Sequence, residues 1–162
     1  IMPVFGQSES KNNKVIADCS TAKSEFIKAD GLMNALFEKS YGYVIFPNVG
    51  KGGIGVGGAA GNGVVYEQNK IVGMAKLSQL SIGLQAGGQA YREVIFFESK
   101  KELDRFKNSQ FEFSAQASAV AAKSGASANA KYTNGVMVFT MQKGGLMYEA
   151  SIGGQEFKFK KI

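Results

Sequence analysis

The chain has 162 residues, 44% hydrophobic and 20% charged, a size and balance that fit one globular domain with a buried core. It has no histidine and a single cysteine, Cys19, which excludes Ser-His and Cys-His catalysis, an internal disulfide and a thiolate zinc or iron–sulfur site. The net charge of +6 favours anionic partners, either phospholipid surfaces or nucleic acid, and with Arg92 and Arg105 as the only arginines the nucleic-acid reading is the weaker, since bidentate contacts favour arginine.

The chain opens on an apolar stretch, IMPVFGQ, that turns polar at Ser8. That pattern resembles the tail of an export signal, so residues 1–13 read as a signal-segment remnant or flexible lead and 14–162 as one domain. No apolar run approaches the length of a membrane-spanning helix. Val15, Cys19, Ala22 and Phe26 follow at helical spacing, with Cys19 as a small buried hydrophobe on that face. A second, shorter helix carries Leu32, Met33, Leu36 and Phe37, with Asp30 as its expected N-cap.

From Tyr43 onward the period changes to two. Tyr43-Val44-Ile45-Phe46 predicts a strand stopped by Pro47-Asn48, and residues 53–58 predict another. Gly61-Asn62-Gly63 reads as a turn before Val64-Val65-Tyr66, and Asn69-Lys70 as the next turn. Alternation resumes from Ile82 into Val94-Ile95-Phe96-Phe97. Ser99 followed by Glu102 is a capping-box pattern for one inserted helix that buries Leu103 and Phe106. Phe111, Phe113, Ala115, Ala117 and Ala119 predict a half-buried strand, and Asn134-Gly135 a hairpin turn before Val136-Met137-Val138-Phe139. Lys143-Gly144-Gly145 and Gly153-Gly154 predict turns into Leu146-Met147-Tyr148 and Phe157-Lys158-Phe159-Lys160. The expected class is α+β: two N-terminal helices and one short inserted helix on a strongly curved, mainly antiparallel, glycine-rich sheet or barrel.

The segment KGGIGVGGAAGNGVVYE, residues 51–67, contains a literal G-x-G-x-x-G at Gly53, Gly55 and Gly58. A dinucleotide fingerprint needs a helix to start within it, and β-type alternation continues here instead, so no nucleotide is expected. Its glycines, Gly53, Gly55, Gly57, Gly58, Gly61 and Gly63, read as a structural signature for close strand packing. Acidic pairs such as Glu93 with Glu98, or Glu102 with Asp104, read as solvated charges balancing the lysines, and no acidic loop with metal-ligand spacing occurs. In Phe157-Lys158-Phe159-Lys160-Lys161 the aromatics and cations fall on opposite faces, either as an edge strand or as a basic strip for anionic headgroups.

YVIFPNVGKGGIGVGGAAGNGVV, residues 43–65, resembles the signature of the SYLF lipid-binding domain family: an apolar strand, F-P, a short spacer, K-x-G and a glycine-rich V-G-G before a G-x-G-V turn. GLQAGGQ at 83–89, Phe96-Phe97, KGGLM at 143–147 and Gly153-Gly154 extend the resemblance over nearly the whole chain. It implies a single α+β lipid-binding domain. In eukaryotic members it implies phosphoinositide binding and adaptors of actin patches, and in bacterial members stand-alone exported proteins, the nearer type here. The expected function is therefore non-enzymatic binding of anionic phospholipid membranes in a bacterial periplasm or envelope, without cofactor or metal. The headgroup candidates are Lys51, Lys70, Lys76, Lys143, Lys158, Lys160 and Lys161. The alternative is an envelope module for protein–protein interaction or structure, which predicts an exposed apolar patch.

Overall fold

In the computed structural model the described residues are 3–50, 58–79, 90–114, 116–142 and 150–162. The expected strand at 53–58 apart from Gly58, the one at 146–148, the alternating stretch at 82–90 apart from Ala90, and the Lys143-Gly144-Gly145 turn lie outside them. Helix α1 (Pro3–Ala29) takes in residues 3–13 as well as the predicted amphipathic stretch. Its face of Cys19, Ala22 and Phe26 is fully buried. Helix α2 (Met33–Lys39) buries Met33 and Phe37, while Leu32 is exposed. Asp30 does not cap α2 in the expected way, since the residue before the helix is Leu32. Its carboxylate accepts the Leu32 amide at 3.1 Å and then reaches across to the Gly125 and Ser127 amides at 3.3 and 2.8 Å. Asp30 thus fastens the α1–α2 corner to the 3-10 turn at Ala126–Asn129.

Eight strands follow: β1 (Gly42–Val49), β2 (Ala59–Glu67), β3 (Lys70–Gln79), β4 (Tyr91–Phe97), β5 (Ser118–Ala121), β6 (Val136–Gln142), β7 (Ala150–Ser151) and β8 (Gln155–Lys161). Helix α3 (Lys100–Lys107) is inserted after β4. The strands lie in the order β7-β5-β6-β4-β1-β2-β3-β8, and every ladder is antiparallel except β5–β6. The class is therefore α+β with a mixed sheet. No ladder joins β7 to β8 among the described residues, so the sheet is open and the barrel alternative does not form. The sheet nevertheless bends. In a flat sheet β4 and β8 would stand roughly 19 Å apart, four spacings of about 4.8 Å. Yet Gln155 on β8 donates to Glu93 on β4 at 2.8 Å, and Phe157 on β8 packs on Phe46 of β1 at 5.8 Å.

Several local readings are corrected by the ladders. Strand β1 runs through Pro47, which sits in a register irregularity between Phe46 and Val49, a place where a missing N–H is tolerated. Gly61-Asn62-Gly63 is not a turn but the middle of β2, paired to Leu77, Lys76 and Ala75. The glycines are there because β1 passes so close. A Cβ on Gly61 would lie 2.7 Å from the Asn48 carbonyl, and one on Gly63 would overlap the Ile45 carbonyl. The β2–β3 turn falls one residue earlier than predicted, at Gln68-Asn69, both with positive φ, as a two-residue hairpin requires. The predicted strand over 111–119 joins a ladder only from Ser118. Before that, Phe111 and Phe113 hold the chain by packing on Phe157 instead of by backbone pairing.

The sheet has two covered faces. On one, Cys19, Phe26 and Phe37 from α1 and α2 meet Ile45, Val64 and Phe139. On the other, Leu103 and Phe106 of α3 meet Phe46, Phe97, Val138 and Phe157. At the start of α3, the Ser99 hydroxyl donates to the Glu102 carboxylate, and no side chain bonds a helix-end amide, so the capping box closes side chain to side chain.

Candidate functional site

The period of β8 separates its residues as the sequence predicts. Phe157 is buried and Phe159 half-buried on the α3 side, while Lys158 and Lys160 are exposed on the side of α1. The β3–β8 ladder then sets Lys76 directly opposite Lys158, and Met74 opposite Lys160. Like charges placed directly across a ladder repel each other, so this pairing lowers stability unless an anion lies over it. The strip continues inward. Lys76 stands opposite Asn62 on β2, and both line a shallow cavity of about 340 Å³ whose floor is Ala60 and Gly61. Lys11, Lys14 and Asp18 of α1 and Asn48 of β1 also line it, Asp18 being its one carboxylate among the described residues. Lys14 is 3.2 Å from Asp18, an exposed i,i+4 pair that is worth little. The arrangement offers several ammonium groups and side-chain amides around a small-residue floor, which suits phosphate oxygens.

Not every candidate lysine joins this strip. Between Val65 and Tyr66 the β2–β3 register shifts, so that Val65 pairs with Gly73 but Tyr66 with Ile71. The extra residue, Val72, reverses the faces, and Lys70 sits opposite Glu67 on the α3 side. Lys161 is opposite Gly73, on the face of Phe157 and Phe159. Lys51 and Lys143, with Gly53, Gly55 and Gly57, lie outside the described residues. Gly58 is buried just before β2. Lys11 and Lys14 were not legible as site residues, because the polar lead gives no sign of which strand it will lie against.

The acidic residues are not uniformly solvated. Glu67 accepts from Lys107 at 2.7 Å and from the Tyr41 hydroxyl, and those bonds hold its carboxyl below the ordinary range. Glu93 has no exposed surface. It accepts from Gln155, its Oε2 has no partner, and burial pushes it up to about 7. Cys19 is also buried. Its thiol donates to the Ile45 carbonyl at 3.4 Å, and burial raises it to about 12, so it stays a protonated core group. Among the described residues no three Cys, Asp or Glu side chains converge on a metal position, and no helix is long and apolar enough to cross a membrane. Their only exposed large hydrophobics are Leu32, Ile71 and Ile162, which gives the protein-interaction alternative little apolar surface.

Residues 78–161, over half the chain, match the family described as Ysc84: Las17-binding protein actin regulator. The chain is also 31% identical over 128 residues to Beta cell expansion factor A of Aeromonas veronii. The alignment covers 78% of this chain and 48% of that protein, so the chain spans about half the length of the relative.

Proposed function

The chain belongs to the Ysc84 (SYLF) family, and from that premise we propose that it is a lipid-binding domain that docks on anionic phospholipid membranes through the β3–β8 lysine strip. The family is a non-catalytic, adaptor-type domain with lipid-binding or actin-regulator-like roles. The observation that carries the finer reading is the opposition of Lys76 and Lys158, with Lys160 on the same face, beside a cavity walled by Lys11 and Lys14. In this reading Lys76, Lys158 and Lys160 meet headgroup phosphates, phosphoinositides included, and the 340 Å³ cavity receives one headgroup. Lys70 and Lys161 face away and contribute only to the general field. Lys51 and Lys143 are proposed as further headgroup contacts. On the same reading the chain is exported and acts at a bacterial envelope, where cell fractionation should find it with the membrane or periplasm.

Co-sedimentation with vesicles tests the reading. Binding should rise with the anionic lipid fraction and fall steeply between low and physiological salt, because exposed charges are screened over about 10 Å at 0.1 M. Equal binding to neutral and anionic vesicles at low salt would rule out the strip as the docking surface.

A further inference from the structure

A second cavity lies away from the lysine strip. Strand β5 pairs with β6 only at Phe139 and Thr140, so the first residues of β6 have no strand beside them on that edge. The space left there is about 640 Å³, open on one side and lined by α3, residues 111–114 and 117–118 and the chain around Lys131. That volume falls within the range of small-molecule sites, roughly 300–1,000 Å³. Phe111, Phe113, Val136 and Val138 form its apolar part, beside polar Ser114, Thr133 and Asn134. Its cations are Lys101 and Arg105, one helical turn apart on α3, and Lys131. All three are exposed, and none takes part in an ion pair among the described residues. Two carboxylates, Glu102 and Glu112, also line the cavity, Glu102 accepting from the Ser99 hydroxyl, so the three cations exceed the acids by one charge.

We propose that this cavity binds one single-chain amphiphile, with its acyl chain against the phenylalanine-lined wall and its anionic head between Arg105, Lys101 and Lys131. The proposal rests on the lipid reading but differs from it in kind. The strip meets a membrane surface, whereas the cavity takes up one lipid molecule. An apolar part beside polar side chains and exposed cations matches a chain with a charged end, and it favours neither a wholly apolar ligand nor a small inorganic anion.

The test is titration of the full chain with cis-parinaric acid, a fluorescent fatty acid, below its micellar concentration, beside its neutral methyl ester. The native chain should take up the acid saturably, one per chain, and the ester at least tenfold more weakly. Arg105→Glu with Lys131→Glu, both at exposed positions, should weaken the acid at least tenfold and leave the ester unchanged. Ala117→Trp, checked for folding by circular dichroism, should block both probes. Lys76→Glu with Lys158→Glu and Lys160→Glu should keep acid uptake while losing vesicles. Absence of saturable uptake, native-like acid binding in the Arg105/Lys131 variant or in folded Ala117→Trp, or loss of uptake in the strip variant would each overturn the proposal. Uptake without vesicle binding would sink the surface reading alone, and vesicle binding without uptake would sink the cavity alone.

Discussion

A carboxylate with no exposed surface, and with no cation beside it among the described residues, holds its proton more tightly than usual, and Glu93 is placed that way. The groups on its side of the sheet, Tyr91, Thr140, Gln142, Gln79 and Gln155, are all uncharged, and desolvation outweighs the bonds from Gln155 and Tyr91. Its value rises from an ordinary 4.5 to about 7. The stability this provides is complete below about pH 4.5 and is lost as pH rises through about 7. The whole span is on the order of 3 kcal/mol. Urea unfolding at pH 5 and pH 8 should therefore show Glu93→Gln near native at pH 5 and more stable than native at pH 8. An equal effect at both pH values would contradict the assignment. Asp30 behaves in the opposite sense. Burial pushes it up, but Ser127, with the amides of Leu32 and Gly125, outweighs that and holds the carboxyl below its ordinary value. Its contribution is present at neutral pH and is lost as pH falls through that lowered value. Asp30→Ala strands three amides and should cost about 2–3 kcal/mol at pH 7, read as a fall in the urea midpoint.

At the scale of elements, the β1–β2 ladder depends on having no side chain at Gly61 and Gly63. Gly63→Ala puts a Cβ into the Ile45 carbonyl and within 2.7 Å of the Phe46 ring, and neither neighbour can yield easily in a fully buried strand. A loss of about 2–4 kcal/mol is expected, seen as a lower thermal midpoint. The same glycines show where sequence reasoning stops. Gly-Asn-Gly is turn chemistry by type, and only the approach of β1 makes it strand chemistry. The helices were legible because burial on one side leaves a period in the sequence, as at Cys19, Ala22 and Phe26. The 111–119 segment showed an extended period but not whether a neighbour would pair with it, and aromatic packing took the place of a ladder. In the site, the alternation of β8 was legible, and so was the separation of Phe157 from Lys158. The meeting of Lys76 with Lys158 was not, because it arises from a pairing between distant parts of the chain.

For the whole molecule, the bend of the sheet brings β8 back over β1 and β4 on one face and leaves its lysines outside on the other. The apolar half of β8 secures the fold, while the basic half is left without a protein partner among the described residues. In the proposed docking mode, position and not total charge determines membrane binding. Two triple variants with the same change in net charge separate these. In one, Lys76, Lys158 and Lys160 become Glu. In the other, Lys28, Lys39 and Lys123, exposed on α1, α2 and the loop after β5, become Glu. At about 1 kcal/mol per lysine near an anionic surface, the strip variant should lose vesicle affinity on the order of a hundredfold. The decisive measurement is co-sedimentation of both variants with anionic vesicles at low salt. The account predicts that the strip variant stays in the supernatant while the control pellets nearly as the native chain does. Equal losses in the two variants would contradict it.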